Sequence, residues 1–204
     1  MLNSSSVGVG GRLAINFANL PSLPASPASQ SLSWEDLISF LRAARIVSTD
    51  RAAELLSLTE VDPRAAFGLL NRAERLRDAL RLAFRQLAHR QRVPGEHVRP
   101  INDVLRVTEG HDELVEADKS WNIEYVAREG GLDWLLAAVA RSAAEIISEG
   151  EATRVRLCAN PSCSLIFYDA SRTHRRRWCS MSLCGNRHKV AAFARRRGAV
   201  RRGS

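Results

Sequence analysis

The sequence predicts a mainly α-helical protein: a multihelical N-terminal domain with a small β element, then a small C-terminal module of β-hairpin and helix. Three observations carry that expectation. Apolar residues recur at helical spacing through most of residues 31–148, whereas residues 113–127, ELVEADKSWNIEYVA, alternate at the period of a strand. Charge composition then changes abruptly near residue 150. Residues 154–204 carry 13 Lys/Arg and one acid, Asp169, a net +12, while residues 1–153 carry 17 Lys/Arg and 21 acids, a net −4. The chain's +8 therefore conceals two halves of opposite sign.

The elements follow in order. Gly8-Val9-Gly10-Gly11 lacks the lysine or dinucleotide pattern of a phosphate loop and reads as a flexible N-terminus. Residues 20–33, LPSLPASPASQSLS, are a Pro/Ser-rich loop. Ser33 with Asp36 caps a helix in which Trp34, Leu37, Ile38 and Leu41 share a face, running through Val47. Thr49 or Asp50 opens a short helix to Leu58. Asp62-Pro63 pairs an N-cap with a first-turn proline. From there the stripe Ala66, Leu69, Leu70, Ala73, Leu76, Leu80, Ala83, Phe84 and Leu87 predicts the longest helix, ending near Pro94-Gly95. A shorter helix covers about His97–Val107. In the alternating stretch, Trp121, Ile123 and Tyr125 share one face of a hairpin that turns near Asp118-Lys119. Helical period returns over 132–148 and Gly150 closes it.

A chain of 204 residues suits one medium domain, or one domain and a small module. No stretch approaches the roughly 20 apolar residues of a membrane span. The opening MLNSSSVGVGGRLAINFANL lacks a basic stretch followed by an apolar run, which predicts no signal peptide and a cytoplasmic protein. In a reducing compartment four cysteines point to metal ligands or reactive thiols rather than disulfides.

Those thiols are Cys158, Cys163, Cys179 and Cys184, spaced C-x4-C-x15-C-x4-C. Two close pairs joined by a spacer are what a tetrahedral ion needs, each pair coming from one tight turn. The first pair encloses Ala-Asn-Pro-Ser between two strand-like runs, a knuckle at a hairpin tip. In the second pair, Cys184 opens a helical pattern with Val190 and Phe193 on one face, and the helix dipole favours a thiolate at that N-terminus. Hairpin knuckle and helix-borne pair together make a treble-clef-like finger. Zinc fits an all-sulfur closed site best. An iron–sulfur cluster would use other spacings. Four unlinked thiols, or His174 or His188 as a substitute ligand, are the competing readings.

Four thiolates on a divalent ion leave a formal charge of about −2, so most of the cationic surplus needs another outlet. Phosphate is the natural one. The phosphate candidates are Arg172, Arg175, Arg176, Arg177, Lys189, Arg195, Arg196 and Arg197. Asn186 and Arg187 are candidates for adenine and guanine edges. Their alternative roles are support of the knuckle for Asn186 and pairing with Asp169 or the sulfurs for Arg187. Trp178 packs on the hairpin in preference to stacking on a base. Gly185 lets the backbone pass close to the metal.

Residues 154–197 resemble the CGNR zinc finger, through CANPSC, LIFYD, RRRWC and the tetrapeptide Cys184-Gly185-Asn186-Arg187. The preceding 150 residues resemble the helical ABATE domain of bacterial stress-response regulators. That domain opens on an apolar strand-like motif; here the corresponding LAINFANL has Asn16 at the acidic position and Leu20 in place of a threonine. The resemblance implies zinc binding and DNA binding by a bacterial transcription regulator. It divides the chain into an ABATE-like domain over 1–150, a finger over 151–200 and a flexible tail over 201–204.

The expected partner is double-stranded DNA, with RNA an alternative because the same basic surface serves either polyanion. The helical domain is assigned dimerisation or the sensing of an unknown small-molecule effector, and no membrane is expected. A competing hypothesis is a helical small-molecule or protein-binding module whose finger is only a stapled tail. An enzyme is not expected. A closed four-thiolate zinc has no open position, His89, His97 and His111 are scattered, and no Ser/His/Asp or paired-carboxylate set is present.

Overall fold

The computed structural model describes residues 10–20, 31–107, 110–117, 120–127 and 131–190. Its N-terminal part is a mainly helical core around one short helix that is apolar except for Asn16. This α1, Leu13–Ala18, buries Ala14, Ile15, Phe17 and Ala18 completely. The expected strand-like opening is thus a helix. Leu13 and Asn16 are partly covered, and the helix packs against the helices formed by residues 63–88 and 137–148.

Ser33 caps α2, Trp34–Ala43, by accepting from the Asp36 amide at 3.0 Å. This helix stops four residues before Val47. Arg45 turns left-handed at φ 58°, and the Ile46 amide returns to the Leu41 carbonyl. The cap of α3, Thr49–Val61, is Ser48 rather than Thr49 or Asp50, and the helix continues past Leu58. Asp62 and Pro63 open α4, Pro63–Ala88, with Asp62 Oδ1 accepting from Ala65. Its predicted stripe is buried, apart from the partly covered Leu70. It ends six residues before Pro94, again through a left-handed arginine, Arg90 at φ 60°.

Helix α5 spans Gly95–Val107. Strands β1, Gly110–Ala117, and β2, Ser120–Ala127, form the expected antiparallel hairpin with Ala117 opposite Ser120. A 3-10 turn, Asp133–Leu136, leads into α6, Ala137–Ser148. None of the described helices is long and apolar enough to cross a membrane.

The second hairpin, β3 (Val155–Leu157) and β4 (Ile166–Tyr168), forms a partition between two cores. Val155, Ile166 and Tyr168 lie in the helical core with α1 and α4. Phe167, on the opposite face by strand alternation, lies with Cys158, Leu165, Cys179 and Cys184 in a separate small cluster.

The outer edge of β4 is closed by the N-terminal segment. The Asn19 side chain takes both backbone groups of Ile166: Nδ2 donates to the carbonyl at 2.8 Å and Oδ1 accepts from the amide at 3.0 Å. Gly10 accepts from the Tyr168 amide at 2.8 Å. Its own N–H is held by Asn16 Oδ1 at 2.8 Å. The glycine-rich stretch expected to be flexible therefore ends in a docked residue. Tyr168 also donates to Glu149 while Arg12 covers its ring at 4.7 Å.

Candidate metal centre

Local backbone chemistry aims each sulfur. In the first knuckle, Asn160 Oδ1 accepts from the Ser162 amide at 3.1 Å and the Asn160 carbonyl from the Cys163 amide at 2.9 Å, folding the loop back on itself. The Cys158 amide donates to Leu165 and so ties the knuckle to the β3–β4 ladder. In the second pair, Cys179 precedes and Cys184 sits on a wide turn of π geometry, Met181–Gly185, running into α-helical residues 186–190. Ser180 caps it, and both the Cys184 and Gly185 amides reach the Ser180 carbonyl at 3.0 Å. Cys184 is thus the fourth residue of this helical segment, not its opening one. Single π turns are common at functional sites because they re-aim one side chain.

The two knuckles are bonded to each other. The Ala159 amide donates to Arg177, the Cys179 amide to Cys158 Sγ at 3.5 Å, and Asn160 Nδ2 to Cys184 Sγ at 3.5 Å. All four Sγ atoms lie within 4.8 Å of one another, with Cys163–Cys179 at 3.9 Å and Cys179–Cys184 at 3.6 Å. Thiolates around a tetrahedral ion at the zinc–sulfur bond length would be about 3.8 Å apart. The donor set and its spacing therefore fit such an ion, and four sulfurs fill its coordination sphere.

Without the ion the thiols share protons unevenly. A hydrogen bond from Cys179 is the main reason the Cys163 thiol is pulled down to about 5. Cys179 is pushed up, first by that same partnership and then by burial. Burial pushes Cys158 up as well. Metal binding must displace the protons these two retain.

The substitute histidines are elsewhere. His188 is exposed and stacks on Trp178 at 4.7 Å. His174 is exposed, left-handed at φ 51°, and offers its carbonyl to Arg156.

Among the predicted phosphate and base contacts, Arg172, Arg175, Arg177, Asn186, Arg187 and Lys189 are exposed. Arg195, Arg196 and Arg197 lie outside the described residues. Arg176 differs. Its Nε donates to the Trp178 carbonyl at 2.8 Å, its Nη2 to the Cys179 carbonyl, and its guanidinium lies 4.8 Å over Phe167. Trp178 packs against the cysteine cluster as expected, with Arg177 over its outer face at 5.3 Å.

The lone acid of the basic stretch, Asp169, is 0% exposed. It does not pair with Arg187. Its Oδ1 accepts from the Ser171 amide and hydroxyl, and its Oδ2 from the Arg176 amide. Burial alone would raise its carboxyl, but these donors outweigh burial and hold it below the usual range. The asparagine that supports the sulfurs is Asn160, not Asn186, whose side chain makes no hydrogen bond among the described residues. Gly185 is likewise not pressed by the cluster: a Cβ there would meet Met181 Sδ at 2.7 Å. The sequence reading missed Asn160, Asn19 and Gly10. A signal existed only for Asn160, which sits before proline in a four-residue knuckle.

No curated protein is similar enough to the chain to match it. Two family models do match: the CGNR zinc finger over residues 154–197, and ABATE, described as "Putative stress-induced transcription regulator", over residues 11–150. Neither is an enzyme family. The helical core that buries α1, and the four-cysteine cluster seated on its β3–β4 edge, are accordingly the two parts of one chain that belongs to the ABATE family and carries a C-terminal CGNR zinc finger.

Proposed function

We propose that this chain is a zinc-dependent DNA-binding protein acting in bacterial transcription regulation. Cys158, Cys163, Cys179 and Cys184 hold one structural zinc in a treble-clef-like finger. The ion supplies a rigid crosslink and no reaction chemistry, since its four positions are taken by thiolates. Arg172, Arg175, Arg177 and Lys189 contact phosphates, and Asn186 and Arg187 face base edges. The domain division at residues 150–153, cytoplasmic location, and dimerisation or effector sensing by the helical part complete the proposal.

One observation carries this reading. Residues 154–190 contain a single acid, Asp169, which is fully buried and held by three donors, so the charged side chains this stretch exposes are all cationic. A surface of one sign built on a rigid crosslink fits a polyanion.

The test is binding of zinc-loaded full-length protein to random duplex DNA over a range of salt. Binding should weaken steeply with salt, and Arg175→Ala should flatten the logarithmic slope by about one unit. Absent or salt-insensitive binding would sink the proposal. Tighter binding to single-stranded or duplex RNA in competition would redirect it to RNA. A second reading is favoured by the shared core of β3–β4 with the helices: a helical ligand- or protein-binding module stapled by its finger. It predicts metal-dependent stability with no affinity for either polyanion.

A further inference from the structure

Arg176 stands between two exposed arginines yet is itself partly covered. Three groups hold it. Its backbone N–H donates to Asp169 Oδ2 at 2.9 Å, and Asp169 is fully buried. Its guanidinium plane lies over Phe167, which is 0% exposed and packs in the cysteine cluster. Its Nε and Nη2 then reach two successive carbonyls, those of Trp178 and Cys179. These are the carbonyls on either side of the Cys179 amide, which itself donates to Cys158 Sγ. Fixing both peptide planes around Cys179 fixes the direction of its Cα–Cβ bond, and so where its sulfur sits.

We propose that Arg176 is a positioning residue for the metal site, not a phosphate contact. Its planar fork clamps the Trp178 and Cys179 carbonyls so that Cys179 Sγ meets the other three thiolates. Only a guanidinium offers two neighbouring N–H groups in a fixed plane while stacking on an aromatic ring; a lysine ammonium keeps the charge and loses both properties. The neighbouring cation also offsets the surplus negative charge of four thiolates. Arg175 and Arg177 are left to face solvent. The inference rests on the cluster holding a metal and is independent of whether the surface binds DNA.

The lysine variant separates the two roles. A phosphate contact tolerates Arg176→Lys; a carbonyl clamp does not. The experiment uses full-length protein and measures zinc affinity by competition with a chromophoric chelator, with Arg175→Ala as the control. Arg176→Lys and Arg176→Ala should each weaken zinc binding about 10–100-fold, the usual effect of losing support for a ligand, while Arg175→Ala leaves it unchanged. At saturating cobalt the ligand-field bands of Arg176→Lys should shift, which a general loss of stability would not produce. On duplex DNA, metal-saturated Arg176→Lys should keep the wild-type salt slope. Wild-type zinc affinity and cobalt spectrum in Arg176→Lys would overturn the proposal. So would an Arg176→Ala protein with intact zinc affinity and a salt slope lower by about one unit. If Arg176→Ala does not fold, the lysine variant alone decides. The metal measurements need no nucleic acid, so failure of the DNA proposal would leave them standing.

Discussion

Replacing Asn19 by alanine removes the side-chain amide that completes the edge of β4 at Ile166. Asn19 is 8% exposed and satisfies both the amide and the carbonyl of Ile166, itself 2% exposed. Alanine leaves both backbone groups buried without partners. Each such group costs about 1–3 kcal/mol, so the expected loss is about 2–6 kcal/mol. Asn19→Asp should do no better, because a carboxylate keeps the acceptor for the Ile166 amide but turns an oxygen on its carbonyl. Urea unfolding of metal-loaded protein, followed by helical circular dichroism, measures the change. The exposed Asn186→Ala is the control and should stay within about 0.5 kcal/mol of wild type. A loss for Asn19→Ala no larger than the control's would refute the strand-edge role of this residue.

Four further expectations concern the metal and the glycines. Stripping the metal, or Cys163→Ser, should abolish hydrogen-exchange protection at the Ala159, Cys163, Cys184 and Gly185 amides. The Ile166 and Tyr168 amides, bonded to Asn19 and Gly10, should keep theirs; uniform loss would contradict the partition role of the hairpin. The raised thiols of Cys158 and Cys179 stay protonated at neutral pH, whereas Cys163, at about 5, is already a thiolate there. Metal loading should therefore release at least about two protons per ion at pH 7, and apparent affinity should climb with pH; titration calorimetry in buffers of differing ionisation heat counts them, and a count near zero would be incompatible. Gly10→Ala would place a Cβ 2.4 Å from Asn16 Oδ1 and 3.0 Å from the Asn16 amide, and should cost about 1–3 kcal/mol in urea unfolding. Gly185→Ala presses on the far end of Met181, which is 52% exposed and can swing away, and meets Trp178 at an ordinary contact of 3.4 Å, so its effect should be within about 0.5 kcal/mol.

What could be read from sequence is what short-range chemistry determines. Ser33, Asp62 and Pro63 announced helix starts because capping is a contact between near neighbours. The buried stripe of α4 was legible because its period is the helix's own. Helix ends were not: α2 and α4 both stop at arginines in left-handed conformation, Arg45 and Arg90, where glycine would have given the signal. Helix α1 resembled a strand because its six residues, five of them apolar, are too few to show a helical period. The cysteine quartet was plain from spacing, since chelation demands close pairs. The duties of the arginines around it were not. Arg175, Arg176 and Arg177 are identical letters in a row, and only the positions of two distant-in-chain groups, Asp169 and Phe167, turn the middle one inward.

That last point bears on how charge should be counted in a small metal-bound module. A net charge treats every arginine as available to a partner, yet the module must also neutralise its thiolates, cap its buried carbonyls and cover its few aromatic rings. Arg176 holds two carbonyls and covers Phe167; Arg177 covers Trp178 yet remains exposed. The carboxylate is subject to the same accounting. Asp169, counted as one negative charge, is removed from the surface by its three donors and subtracts little from the exposed field. The two corrections oppose each other, and the surface stays strongly positive. What changes is which side chains carry it. The hairpin then settles where that surface points. Phe167 beneath Arg176 belongs to the strand whose neighbours Ile166 and Tyr168 are fastened to Asn19, Gly10 and Glu149. The cationic face of residues 154–190 is therefore tied to the helical core through contiguous contacts.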